Sequence, residues 1–242
     1  LHKGHISLIK KSLKKTDKTI VSIFINHRQF NNKKDFTKYP RNKKKDLSIL
    51  KSLNVDFVYL PKAEDIYNYK RTKKIKLKKK DRILCAKYRT GHFEGVLDVM
   101  DRLVNKITPK YVFMGLKDFQ QLFLVKNFIE KKYKSKVIAC KTIRNSNKLA
   151  LSSRNLLLRK NSLSKAEKLI QNLINLKKSL YKVKDVKKVI YNQKIKLSQL
   201  FNVNIEYLEL MNEKNLKVTN KIKNSKLFIA FYLDKIRLID NI

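Results

Sequence analysis

The chain opens Leu1-His2-Lys3-Gly4-His5, two imidazoles three residues apart with a glycine between them. At a helix start, residues at that spacing fall on one face. The glycine lets a backbone and a phosphate come close, and the amides of a helix N-terminus add partial positive charge. Such a turn suits phosphate oxygens that gain charge while phosphorus is attacked. The run is short, and its plain alternative is a polar helix start with two solvated histidines. Other polar stretches stand beside it. Asn26 to Phe30 contains Gln29, and Arg89-Thr-Gly-His-Phe-Glu-Gly95 contains His92. Gly115-Leu116-Lys117-Asp118 leads into Gln120-Gln121, and Leu149-Ala-Leu-Ser-Ser-Arg-Asn155 carries paired serines and an arginine. Glycine is scarce, with 4 where an average chain of this length carries about 17. Gly4, Gly91, Gly95 and Gly115 all lie beside these candidate residues, in the first half of the chain.

The elements that must position these residues follow from periodicity. Ile6–Lys15 reads as a helix with Ile6, Leu8, Ile9 and Leu13 as its apolar positions, and Thr19–Ile25 as a β-branched, buried strand. Lys44–Leu53 reads as a helix and Asp56–Leu60 as a strand. Residues 62–82, polar and basic, read as a loop with a short strand or two. His92–Ile107 is an amphipathic helix with Phe93, Val96, Val99, Met100, Leu103 and Val104 on one side. Tyr111–Met114 is a strand, Phe119–Lys132 a helix and Lys136–Cys140 a strand. This alternation predicts an α/β domain over residues 1–142, a parallel sheet with helices on both faces. After residue 142 the pattern changes to two long helices, Ser162–Lys178 and Val183–Phe201. Short strands follow at Ile205–Leu210, Leu227–Leu233 and Ile236–Leu238, giving a smaller α+β domain over residues 143–242. Ligands of open α/β sheets bind beyond the carboxyl ends of the strands. Asn26–Phe30, Gly115–Asp118 and Ile143–Asn155 each follow a strand, so the topology gathers them on one edge with the His2–His5 turn.

Composition bounds the function. The 242 residues suit one large domain or two small ones, and 43% hydrophobic content supports a core. No apolar stretch of about 18 residues predicts a membrane span, and nothing resembles a signal peptide. Cys85 and Cys140 stand far apart and read as reduced structural residues of a cytoplasmic protein. Lys and Arg number 59 against 19 Asp and Glu, a net +40. The lysines are spread over the whole chain, alongside abundant Asn and Ile, which points to codon bias rather than to a specific nucleic-acid partner. The densest run, Lys70 to Arg82, has only Tyr67 and Tyr69 as nearby aromatics for base stacking. Weak, salt-sensitive binding to polyanions is the expectation.

Several runs occur in a fixed order: Leu1 to His5; Ser22-Ile-Phe-Ile-Asn26 to Gln29-Phe30; Tyr39-Pro40-Arg41; Arg89 to Gly95; Gly115 to Gln121; Leu149 to Asn155; and Arg237-Leu-Ile-Asp-Asn241. Together they closely resemble the pantothenate synthetase (pantoate–β-alanine ligase) family of the His-x-Gly-His nucleotidyltransferase superfamily. The resemblance runs from Leu1 to the last residues. It implies a Rossmann-like nucleotidyltransferase domain, a smaller C-terminal lid domain, usually a homodimer, and a two-step reaction. Pantoate attacks the α-phosphate of ATP, which arrives with Mg²⁺, to give pantoyl adenylate and pyrophosphate; β-alanine then displaces AMP. Two alternatives stand beside it. One is another His-x-Gly-His nucleotidyltransferase, such as a phosphopantetheine or nicotinate mononucleotide adenylyltransferase. The other is a catalytically degenerate, basic RNA-binding protein.

The resemblance also assigns residues. Leu1, His2, Lys3, Gly4 and His5 line the ATP site with Gly115, Leu116, Lys117 and Asp118. His5 is the catalytic proton donor, with His2 and Lys117 beside it. Ile143, Leu151, Ser152, Ser153 and Arg154 are the ATP contacts of the second domain, although Ser152-Ser153 could equally be a helix cap. Gln29, Gln121 and Asn26 hold pantoate; Gln29, Arg89 and His92 take β-alanine; Asp46 is a candidate magnesium contact. Departures from the family pattern are clear. His27 stands where proline is usual, loosening a fixed φ. Thr90 replaces another proline, Ala86 a glycine, and Leu151 a methionine. Asn145-Ser-Asn-Lys148 replaces an acidic, glycine-containing loop. The sequence starts directly at Leu1, where the family has a strand and a Met-Gly pair before this signature. A sheet without that strand is expected to expose apolar surface and lose part of the substrate pocket.

Overall fold

The computed structural model describes residues 1–68 and 75–242. The chain divides into two units, Leu1–Lys141 and Thr142–Ile242.

In the first unit, helix α1 (Lys3–Lys15) packs on the later strands through a face that includes buried Ile9 and Ser12. Strand β1 (Ile20–Ser22) is followed by α2 (Lys33–Lys38), α3 (Lys43–Ser52) and β2 (Phe57–Tyr59). Asn32 and Asn42 cap the two helices, their side-chain oxygens accepting from Lys34 N at 2.7 Å and Lys45 N at 2.9 Å. β1 and β2 are parallel, with Ile20 opposite Phe57 and Ser22 opposite Tyr59. Only three residues of the predicted Thr19–Ile25 strand pair, because β2 offers three partners before Leu60-Pro61 ends it.

The predicted loop over 62–82 is corrected in part. Helix α4 (Ala63–Tyr67) forms there, its start secured by Asp65 Oδ2, which accepts from Lys62 N at 2.7 Å. A 3-10 turn spans Lys79–Asp81, and no strand occurs among the described residues of this stretch. Residues 69–74, part of that expectation and of the basic run, lie outside the described residues. Helices α5 (Cys85–Tyr88) and α6 (His92–Ile107) follow, then β3 (Tyr111–Gly115), α7 (Phe119–Lys132) and β4 (Lys136–Cys140). β3 and β4 are parallel from Tyr111–Lys136 to Gly115–Cys140. Buried Phe93, Val96, Val99 and Val104 on α6 supply the apolar face expected of it.

The parallel strands are therefore present, but not as one sheet. They form two separate pairs, each a strand–helix–strand crossover, with no described strand bonded to both. Apolar side chains of the first pair are exposed, Phe57 at 55% and Ile20 at 40%.

In the second unit, α8 (Lys160–Ser179) and α9 (Val186–Phe201) accompany an antiparallel sheet of β5 (Asn204–Asn212), β6 (Ser225–Leu233) and β7 (Ile236–Asn241), in that order. Leu169, Ile170 and Leu173 of α8 and Leu227, Ile229 and Phe231 of β6 are nearly solvent-free and form the core. β6 and β7 join through Asp234-Lys235, whose φ values of 49° and 62° make the two-residue turn that matches strand twist. Among the described residues, no helix is long and apolar enough to cross a membrane.

Candidate active site

His2 ends the extended segment before α1, with φ −134° and ψ 169°. Its Nδ1 accepts from Gly4 N at 3.1 Å, and its own N–H donates to His5 Nδ1 at 3.4 Å. This is a capping box built from two imidazoles. The rings stack with centroids 3.9 Å apart. Both Nδ1 atoms accept, so each neutral ring carries its hydrogen on Nε2. Burial, reinforced by His5 and Lys117, pulls His2 down to about 4. Burial also lowers His5. A Cβ on Gly4 would sit 2.8 Å from His2 Cε1, so this glycine makes room for the histidine ring. The helix-start amides are also used differently from the expectation: Gly4 N and His2 N are already engaged by imidazole nitrogens.

Lys117 and Asp118, after β3, act electrostatically on both histidines. Lys117 Nζ lies 3.4 Å from Asp118 Oδ1. Leu116 shares their 3-10 turn, for which Gly115 is the cap. Lys3 is the first residue of α1. Asp46, on α3, raises the proton affinity of His5, and its Oδ1 meets the Leu1 nitrogen. No group of three or more His, Cys, Asp or Glu side chains placed to hold a metal occurs among the described residues.

A second constellation surrounds the 3-10 turn His27–Gln29. Gln29 O accepts from His92 Nδ1 at 2.7 Å and from Arg89 Nη2 at 3.3 Å. His92 donates through Nδ1 to a carbonyl, which leaves Nε2 to accept from Arg89 Nη1 at 3.0 Å. Gln29, Arg89 and His92 are thus brought together. Asn26 is buried and heavily bonded: Oδ1 accepts from Arg28 N and from the Tyr67 hydroxyl, and Nδ2 donates to Gly95 O at 3.0 Å. The asparagine therefore shapes the turn. Helix α6 comes so close that a Cβ on Gly95 would lie 2.5 Å from Arg28 O.

The adjacent glutamines of α7 differ. Gln120 is buried, and its Nε2 donates to Ile83 O at 2.8 Å and Asp81 O at 3.3 Å, tying α7 to the turn before α5. Its Oε1 is buried without a partner. Gln121, one residue and about 100° further round the helix, is half-buried.

Within the second unit, Ile143 O accepts from Leu151 N at 2.9 Å, closing a hairpin. Arg144 anchors it to β7, donating to both Asp240 oxygens at 2.6 and 2.9 Å and to Asn241 O at 3.0 Å. Glu167 of α8 accepts from Asn145 and Asn147 side chains, and Lys148 takes φ 70°. Ser152 caps the following 3-10 helix, Ser153–Leu157, its Oγ accepting from Arg154 N at 3.2 Å. The capping alternative for these serines is thus realised for Ser152.

A family model for pantoate-beta-alanine ligase matches residues 1–242. The chain belongs to this family. It is 38% identical to the pantothenate synthetase of Flavobacterium psychrophilum, over 100% of this chain and 88% of that protein. With the pantothenate synthetase of Campylobacter hominis it shares 39% identity, covering 100% and 89%. Among solved structures it is similar to the pantothenate synthetase of Thermus thermophilus, with TM-score 0.92, 26% identity and 100% and 89% coverage. The pantoate-beta-alanine ligase of Francisella tularensis, complexed with beta-gamma ATP and beta-alanine, superimposes with TM-score 0.84 at 35% identity, covering 100% and 85%. Membership sets aside the other His-x-Gly-His nucleotidyltransferases and the RNA-binding reading.

Sequence reasoning missed the residues that hold the Asn26–Gln29 turn: Tyr67, Arg28 and Asp98. Arg28 Nη1 pairs with Asp98 Oδ2 at 3.1 Å, and Asp98 Oδ1 accepts from Arg102 Nε at 3.0 Å. Their partners lie about 40 to 70 residues apart in sequence, and no local motif announces them.

Proposed function

We propose that this chain performs the family's AMP-forming ligation of pantoate and β-alanine with the first unit supplying the reacting groups. In the first step a pantoate carboxylate oxygen bonds to the α-phosphorus of ATP, and pyrophosphate leaves. Charge grows on the phosphate oxygens as that bond breaks. His2 and His5 face them as neutral Nε2–H donors rather than as imidazolium ions, and Lys117 adds a compact cation. Leu1–His5 and Gly115–Asp118 line the rest of the phosphate cradle. Ile143, Leu151, Ser152, Ser153 and Arg154 are the second unit's contacts with the nucleotide. Gln29 and Gln121 hold the pantoate by neutral amides, which bind a carboxylate without competing as nucleophiles. In the second step the β-alanine amine attacks the acyl carbon and AMP departs. Arg89, fixed by His92, draws the β-alanine carboxylate.

Mg²⁺ that arrives with ATP would neutralise charge on its phosphates. Mg²⁺ commonly takes one or two carboxylates plus substrate phosphates, so Asp46 beside the histidine turn fits as its protein contact. We further assign a cytoplasmic location, a homodimeric state and no specific nucleic-acid partner, from the family resemblance and the even spread of lysine. The observation that carries the residue assignment is the imidazole capping box, which presets both Nε2 donors before substrate arrives. ATP–pyrophosphate exchange tests it. Exchange should require pantoate, and exchange that ignores pantoate would remove the assignment.

A further inference from the structure

Three successive residues of the turn before Gln29 grip one tyrosine. The Tyr67 hydroxyl donates to Asn26 Oδ1 at 2.7 Å. The His27 ring meets the Tyr67 ring edge-on, with centroids 5.8 Å apart at 74°. The Arg28 guanidinium lies over the ring face, its Cζ 3.6 Å from the centroid. Hydroxyl, edge and face of a single side chain are each taken by a different residue. Gln29, the fourth, has its carbonyl tied from the other side by His92 and Arg89.

We infer that Tyr67 is a positioning residue that sets where the Gln29 carboxamide stands for the substrate acid. This rests on the assignment of Gln29 to pantoate. Several observations support it independently of that assignment. Tyr67 closes α4, and Arg102 of α6 donates to the neighbouring Ile66 O at 3.1 Å, so the ring is mounted on a fixed helix end. Arg28 is held a second time, by Asp98. Burial, with Asp98 nearby, pushes the Tyr67 hydroxyl up to about 12, so it is a permanent donor at neutral pH. Among the described residues the Gln29 side chain makes only a long contact, Oε1 to Asn26 Nδ2 at 3.5 Å, so its location is inherited from the turn. A shift of the order of 1 Å in such a group is costly for a reaction that depends on orientation.

The test compares Tyr67→Phe, Arg28→Met, their combination and Gln29→Ala. Tyr67→Phe keeps the ring and removes the hydroxyl. It should raise the pantoate KM about fivefold, the scale of one neutral hydrogen bond, while ATP KM and the urea midpoint hold. Arg28→Met should do the same through the ring face. The double variant should fall short of the product of the two, because both act on one turn. If Gln29→Ala raises the pantoate KM while Tyr67→Phe and Arg28→Met leave it at the wild-type value, the positioning role is overturned. A loss in all kinetic constants that tracks the urea midpoint would likewise reduce Tyr67 to a structural residue. A wild-type pantoate KM in Gln29→Ala would instead remove the acid-binding assignment and, with it, the purpose of the pin.

Discussion

The His2–His5 turn closes on itself, with the bonds of its two imidazole Nδ1 atoms confined to residues 2, 4 and 5. The Asn26–Gln29 turn is held from outside by Tyr67, Arg89, His92, Gly95 and Asp98, all distant in sequence. Both present polar groups from the same unit. The first needs only a helix start to take shape. The second exists only when α4, α5 and α6 have docked. A self-closed turn can survive local damage that a cross-braced turn cannot, and each variant below probes that difference.

The largest effect should come from the histidine turn, in rate alone. His5→Ala removes one donor aimed at developing charge, and adenylate formation should slow about 10²–10³-fold. Its stability cost should be small, since Nδ1 supplies a single 3.4 Å bond to the cap. Single-turnover adenylation checks this, and an unchanged rate would refute the role.

The two glycines separate the turns next. A Cβ at Gly95 would meet main-chain atoms, Arg28 O at 2.5 Å and Arg28 C at 2.8 Å, so backbone must move. Gly95→Ala should therefore cost about 1–3 kcal/mol of stability and on the order of 10²-fold in kcat/KM as the turn is displaced. A Cβ at Gly4 would meet only the His2 ring, which can swing away. Gly4→Ala should gain roughly 0.5–1 kcal/mol in helix propensity and lose about as much with the cap. Its stability should stay near wild type while adenylation slows, by less than in His5→Ala. Urea unfolding alongside steady-state kinetics reads both. A Gly95→Ala protein as stable and active as wild type would erase the distinction.

The same contrast governs what could be read from the chain. The histidine spacing is local, and its helix start was legible from five residues. Helices α6 and α7 and strand β4 were legible to the residue, because long apolar periods and a short β-branched run mark them. α4 was not, since Ala-Glu-Asp-Ile-Tyr is a single turn without a period. Nor was α2, whose six residues carry Phe36 as their only large apolar side chain. The continuous sheet was inferred from alternation alone, and alternation does not say which pairs share hydrogen bonds. That Gln120 turns inward was equally hidden. Two adjacent helical glutamines look alike until the carbonyls of Asp81 and Ile83 select one of them.

Acid should affect the self-closed turn directly. His2 titrates near 4 in the folded protein against 6.5 for an unperturbed histidine, and His5 is also lowered. Between those values the unfolded chain binds more protons than the native one. The contribution is therefore fully present above about pH 6.5 and declines as pH falls through the window toward 4. Urea midpoints measured between these limits should fall with pH. His2→Asn keeps a capping side chain but has no titrating group, so its midpoint should depend less on pH. An unchanged slope would show that His2 is not protonated on unfolding in this range.

The smallest effect belongs to the second unit, where the Arg144–Ala150 hairpin combines both modes. Asn145 closes it locally, accepting through Oδ1 from Leu149 N at 3.0 Å, while Glu167 and Asp240 hold it from elsewhere. Lys148 sits at φ 70°, a conformation that costs an L-residue roughly 1–2 kcal/mol. The outside bonds over-determine the hairpin strongly enough to keep a lysine there. Lys148→Gly should relieve the strain and return part of it as unfolded-chain entropy. The net gain should be under about 1 kcal/mol, a rise in Tm of less than about 4 °C for a chain of this size. Since Glu167 and Asp240 already set the loop, ATP KM should not move. A large fall in ATP KM would mean that the loop is instead loosely held and that its own backbone limits nucleotide binding.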